Sequence, residues 1–129
     1  MLSISLCLSL PIQAQLYQEV ILEDIEFGPD QAIIENDSSA HLQALVDLLN
    51  KYPDFNVKIA GHSDEDEKSA DLIDLSIKRA EAVKKALISY DISPYRIKAV
   101  GYGAYRPIRP EEFKGRSISN RRVTYRMMK

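Results

Sequence analysis

An arginine stands where a helix should be apolar. Downstream of Gly61, residues Leu72, Leu75, Val83, Ala86 and Tyr90 recur at three- and four-residue spacings, the stripe of a helix that buries one face. Arg79 lies on that stripe, four residues after Leu75 and four before Val83. A guanidinium keeps its proton at any ordinary pH, so a buried Arg79 needs an anion. Asp64 is the acid best placed to supply one, at the end of the preceding strand, on a loop that could fold back over the same face. The alternative is that Arg79 lays its stem along the stripe edge and leaves its charge in water beside a helix carboxylate. Periodicity leaves both open. The chemistry within reach of such a pair is binding, with opposite charges held apart on rigid elements.

Catalytic and metal chemistry fare worse. His62, Ser63 and Asp64 carry the residue types of a nucleophilic triad, but they are consecutive. Adjacent residues of an extended chain point to opposite faces, so no proton relay forms. His41 and His62 are the only histidines, and no HExxH pattern or cysteine cluster offers a zinc ligand set. The acids Asp64, Glu65, Asp66 and Glu67 lack the spaced oxygens and glycine turn of a calcium loop, and read instead as a solvated acidic loop. Gly101 and Gly103 lack the third glycine of a dinucleotide fingerprint and suit a tight turn. Tyr102 and Tyr105, near arginines, could stack on bases. Seven tyrosines in a small core need no such role. The expectation is a protein without catalytic residues, cofactor or metal.

The elements that hold these residues follow from the pattern of apolar positions. Residues 17–27 make a first strand, in which the consecutive Val20, Ile21 and Leu22 imply a bulge or cover on both faces. A helix starts at Asp37 or Ser38, either a good N-cap, buries Leu42, Leu45, Val46 and Leu49, and stops at Pro53. Residues 55–61 alternate as a second strand, and residues 69–90 form the central helix. A third strand spans 95–101, followed by an irregular connection to Gly115 and a last strand from Asn120 to Met128. Crossovers of this kind place both helices on one face of the sheet. The predicted fold is α+β, a two-layer sandwich with a βαβαββ mixed sheet and the helices packed on one face.

A chain of 129 residues suffices for one domain with a core of its own. Its composition, 45% hydrophobic and 28% charged, is that of a globular protein. A net charge of −2 argues against bulk attraction to nucleic acid. Basic residues begin only at Lys51 and the arginines crowd the last third, which marks either a basic binding face or a solvated edge. Residues 1–14 read as a signal peptide cleaved after Ala14, leaving 15–129 as the domain. Their apolar run is too short to span a bilayer, and a buried N-terminal segment is the alternative. Cys7, the only cysteine, follows Leu6 rather than the small residue of a lipoprotein signal. Oligomeric state has no signature here.

Four motifs in combination resemble the OmpA-like peptidoglycan-binding domain. They are Gly61-His62-Ser63-Asp64 with Leu75-Ser76-Ile77-Lys78-Arg79-Ala80, then Arg96-Ile97 leading to Gly101-Tyr102-Gly103, then Asn120-Arg121-Arg122-Val123. That family includes the peptidoglycan-associated lipoprotein and the flagellar stator anchor, and the likeness runs from about Ile25 to the C-terminus. The resemblance implies a periplasmic, outer-membrane-associated module that binds peptidoglycan non-covalently, through diaminopimelate of the stem peptide. Asp64 would receive the ammonium, Arg79 would clamp the carboxylate, and Arg121 would add a donor. Other envelope proteins are further partners it implies. The sequence departs from the family pattern at Glu67, where glycine is usual, at Leu72, where asparagine is usual, and by one extra residue before Asn120. These departures support an alternative: a fold that has lost its ligand and serves as a protein-interaction or assembly module.

Overall fold

The computed structural model describes residue 14 and residues 16–34, 39–107 and 119–129. Strand β1 (Val20–Ile21) leads to helix α1 (Ala40–Lys51), strand β2 (Asn56–Gly61) and helix α2 (Leu72–Ser89). A 3-10 turn (Pro94–Arg96), strand β3 (Ile97–Gly101) and strand β4 (Val123–Met128) follow. One sheet runs in the order β1-β4-β2-β3, with β2 and β3 parallel and β4 antiparallel to both its neighbours. The α+β expectation is met in element order and sheet type.

Register explains why both helices share a face. Ile97, Val57 and Met127 form one cross-sheet row, and Ala99, Ile59 and Tyr125 form the next on the same side. These side chains meet Leu42, Leu45, Val46 and Leu49 of α1 and Ala80, Val83 and Leu87 of α2 in a single core. Between the two rows, Lys98, Lys58 and Arg126 line up on the wetter face.

Helix starts obey capping chemistry. Ser39 caps α1 by accepting from the Leu42 N–H, and Asp71 caps α2 by accepting from the Asp74 N–H. The N-cap expected at Asp37 or Ser38 lies outside the described residues. Helix α2 starts at Leu72 rather than at 69, with Asp71 as its cap. Arg96 secures the end of α1 and the start of β2, donating to the carbonyls of Leu49, Tyr52 and Phe55. An arginine of the crowded C-terminal third is thus a structural clamp.

The first strand is shorter than expected. Only Val20–Ile21 pair with β4, and the Leu22 N–H adds one more bond to the Val123 carbonyl at 3.0 Å. The chain then turns, with the Ile25 N–H on the Leu22 carbonyl at 3.0 Å. The turn is held from the side: the Asp24 carboxylate accepts from the Ser39 hydroxyl and from the His41 N–H at the start of α1. Leu22, Ile25 and Phe27 are nonetheless buried, so the segment serves the core without forming a ladder. Leu16, just beyond the expected cleavage point, is buried there too. Residues 1–13 lie outside the described residues.

Two paired glycines decide how deep α2 sits. A Cβ on Gly61 would lie 1.8 Å from the Ser76 carbonyl oxygen, and one on Gly101 would lie 2.4 Å from the Ser76 hydroxyl. The helix therefore rests on bare backbone at the ends of β2 and β3. Among the described glycines, Gly103 takes a left-handed conformation, with φ of 58°. The expected turn role holds for Gly103, whereas Gly101 serves close approach. Gly61→Ala should push α2 off the sheet and cost about 1–3 kcal/mol, read as a lower urea midpoint at unchanged m-value.

Candidate ligand-binding site

The Gly61 shelf drops Arg79, two turns into α2, beside the end of β2. Its side chain is fully buried, with 0% exposure. The Nε–H donates to the Gln31 carbonyl at 2.8 Å, Nη1 to the His62 carbonyl at 3.1 Å, and Nη2 to the Gly28 carbonyl at 3.2 Å. The remaining two N–H groups form a fork on one carboxylate: Nη1 donates to Glu67 Oε2 at 2.8 Å and Nη2 donates to Glu67 Oε1. All five donors of the guanidinium are spent. The Phe27 ring lies 5.3 Å from the guanidinium carbon and closes one side.

Glu67 is as fully engaged as its partner. Besides Arg79, Oε1 accepts from the Asp30 N–H at 3.0 Å and Oε2 from the Asp64 N–H at 2.8 Å. The side chain is 2% exposed. Burial alone would raise the Glu67 pKa, but hydrogen bonds from Arg79 and from the Asp30 and Asp64 backbones overcome it and hold the carboxyl below its ordinary range. Asp30 adopts φ of 61°, a left-handed conformation that aspartate tolerates, and its own carboxylate accepts from the Ser69 N–H at 2.7 Å. The turn around Gly28–Gln31 and the loop after β2 are therefore tied together through the Arg79–Glu67 pair and through the two hydrogen bonds of Asp30.

Arg79 is buried and paired with a loop acid, as the first of the two sequence readings required. The acid is Glu67 rather than Asp64. Asp64 is half-exposed, and its Oδ1 accepts from the Asp66 N–H at 3.2 Å, a local turn that points the carboxylate along its own loop. The expectation of a solvated acidic loop holds for the exposed Glu65 and Asp66 and fails for Glu67. The longer glutamate side chain reaches the guanidinium from a loop whose turn already occupies the shorter aspartate.

Arg121, in a bend, and Arg122, just before β4, diverge. Arg121 is half-exposed and donates from Nε to the Phe27 carbonyl at 2.9 Å, one residue from the Gly28 carbonyl that Arg79 holds. Arg122 is buried and donates from Nη2 to the Arg106 carbonyl at 2.9 Å. Asp64, Arg79 and Arg121 thus surround the Phe27–Gln31 turn and the loop after β2.

Outside this cluster a cleft of about 520 Å³ opens, lined by Glu65, Asp71, Leu72, Ile73, Ala104 and Tyr105 among others. Leu72 is half-buried at the first position of α2, and its carbonyl accepts from the Ser63 hydroxyl at 2.9 Å. It borders the cleft without being part of the core. Tyr105 is 80% exposed and Tyr95 is 96% exposed, so these tyrosines are surface residues, contrary to the core role expected of them.

On the far face, His62 is buried at 1% exposure. Its Nε2 lies 3.2 Å from the Thr124 hydroxyl, which donates to Glu19 Oε1 at 3.0 Å, so Nε2 carries the proton. Burial, with the charges of Arg122 and Arg106, pushes the imidazole pKa down to about 3. His62 and Ser63 point away from each other, and no triad forms.

The chain is 36% identical over 100 residues to outer membrane porin F of Pseudomonas fluorescens, covering 78% of this chain and 31% of the porin. It is 30% identical over 98 residues to a peptidoglycan-associated lipoprotein of Mesorhizobium japonicum, covering 76% of this chain and 58% of the lipoprotein. It therefore spans less than two thirds of either relative. Among solved structures, the peptidoglycan-associated lipoprotein of Burkholderia pseudomallei superposes with a TM-score of 0.68 at 24% identity, covering 95% of this chain and 99% of that one. The periplasmic domain of Helicobacter pylori MotB gives a TM-score of 0.69 at 20% identity, covering 85% of this chain and 73% of that one. At those identities the two structures speak for the fold alone. The OmpA family matches residues 26–121, which contain both helices, β2, β3 and the whole Arg79 cluster, and the chain belongs to that family.

Proposed function

We propose that this domain binds peptidoglycan non-covalently and anchors an envelope component to the cell wall. In this reading it works in the periplasm, associated with the outer membrane, without catalysis, and residues 1–14 serve as its export signal. The observation that carries the reading is Arg79, a guanidinium fixed at the end of β2 with Asp64 half-exposed on the adjoining loop. Names of the relatives, a porin of the outer membrane and lipoproteins associated with peptidoglycan, support the same conclusion. Within the site, Asp64 takes the ammonium of a stem-peptide diaminopimelate. Arg121, and Arg79 once Glu67 gives way, serve its carboxylate.

A second reading has an observation of its own. The donors of Arg79 are fully spent within the chain, which favours a module that keeps the fold and binds another envelope protein instead. Co-sedimentation with purified diaminopimelate-type sacculi separates the two. Asp64→Asn keeps the oxygen that accepts from the Asp66 N–H while removing the charge, so the fold should survive. Loss of one charge-assisted bond, about 1.5–3 kcal/mol, predicts at least about a tenfold drop in retention. Wild-type protein that stays in the supernatant would favour the assembly module.

A further inference from the structure

We propose that Arg79 and the N–H groups of Asp30 and Asp64 form a carboxylate receptacle whose resident is Glu67, and that an external carboxylate enters only by exchange with it. The geometry is that of a complete anion site. Four N–H groups converge on two oxygens: Nη2 and the Asp30 N–H on Oε1, Nη1 and the Asp64 N–H on Oε2. A fork of this kind is selective for a planar carboxylate. Nothing in it is specific to a glutamate side chain. The carboxylate is presented by a short loop that folds back on itself, with the Glu67 N–H on the Asp64 carbonyl at 3.1 Å. The rest of the guanidinium faces carbonyls of Gly28, Gln31 and His62, which hold Arg79 in place independently of Glu67.

The inference rests on the peptidoglycan reading only for the identity of the competing carboxylate. Its general content is that the site binds small carboxylates once Glu67 is gone. A ligand that meets the wild-type chain must displace an internal carboxylate already present at high effective concentration, which lowers its affinity without altering the receptacle. Glycine, the residue usual at this position in the resemblance, would leave the receptacle empty.

The test compares wild type, Glu67→Gly and Glu65→Gly, the last removing a neighbouring exposed acid. Melting temperature is followed against sodium acetate, with sodium chloride at equal ionic strength as reference. Glu67→Gly should gain several degrees from acetate, saturably, because an anion that binds only the folded state stabilises it by mass action. Wild type and Glu65→Gly should show no difference between the salts. Should Glu67→Gly be unfolded without added anion, recovery of its circular dichroism on adding acetate is the same positive result. Absence of any acetate-specific effect on Glu67→Gly, folded or unfolded, would overturn the proposal. A diaminopimelate-containing muropeptide should bind Glu67→Gly at least about tenfold tighter than wild type. Acetate rescue without muropeptide binding by either chain would leave the receptacle standing and remove peptidoglycan as its ligand.

Discussion

Replacing Arg79 with alanine is expected to cost about 3–5 kcal/mol of folding stability, because it leaves Glu67 buried without a counter-charge. The carbonyls of Gly28, Gln31 and His62 would lose their donors in the same step. Each buried acceptor left unmade carries its own desolvation cost, so the true loss lies toward the upper end. A domain typically has only about 5–15 kcal/mol in hand. Arg79→Ala is therefore expected at the edge of folding, and a lost sacculus pull-down from it would say nothing about ligand contacts. Arg79→Lys should recover less than half of the deficit: its ammonium has three donors against five acceptors and no planar fork. Urea unfolding of the three proteins at pH 7 decides the matter. An Arg79→Ala variant within about 1 kcal/mol of wild type at equal m-value would mean that the ion pair contributes little to holding the Gly28–Gln31 turn.

That expectation bears on what the sequence made legible. Alternation in 55–61 and the stripe from Leu72 to Tyr90 follow from burial of one face each; β2 and α2 bear out their middles, with Leu75 and Val83 buried, while Leu72 is half-buried and Tyr90 is an exposed C-cap. The same stripe raised the question of an anion for Arg79 without deciding it, because a charge flanked by Leu75 and Val83 can be buried or can snorkel to water; the structure buries it. Which anion it has was not legible. Four acids in a row, Asp64 to Glu67, are equivalent to a spacing argument, and the choice depends on how a loop without periodicity turns. The departure of Glu67 from the family's glycine was the available signal, and its physical meaning is that a side chain fills space that glycine leaves open. Residues 17–27 misled for a related reason. Their apolar positions belong to a chain that is buried but turned at Asp24 by bonds to Ser39 and His41, distant in sequence. Arg96 was visible only as part of a motif, because its partners are backbone carbonyls, which carry no side-chain identity to read.

Acid should destabilise the domain well before its carboxylates titrate, and His62 is the cause. The imidazole is held neutral in the folded chain, with a pKa of about 3, whereas the unfolded chain takes a proton near the ordinary value of 6.5. Between these values the unfolded state binds more protons, so stability falls as pH falls, by up to ~1.4 kcal/mol per pH unit. The loss begins below about pH 6.5, reaches roughly 2–3 kcal/mol by pH 4.5, and levels off near the folded pKa. Burial is the largest cause, and the charges of Arg122 beside β4 and of Arg106, stacked on Tyr102 with its carbon 3.7 Å from that ring, also oppose a proton on the imidazole. Glu19 is linked to His62 through the Thr124 hydroxyl. Glu67 acts in a different window. Its lowered carboxyl contributes stability that is fully present above the unfolded pKa near ~4.3, and lost as pH falls through the folded value. The interval from pH 6.5 to 4.5 therefore separates the contribution of His62 from that of Glu67. His62→Gln keeps an N–H for the Thr124 hydroxyl but has nothing to titrate, and its urea midpoint should be nearly flat over that interval. A variant as acid-sensitive as wild type there would show that the slope comes from another group.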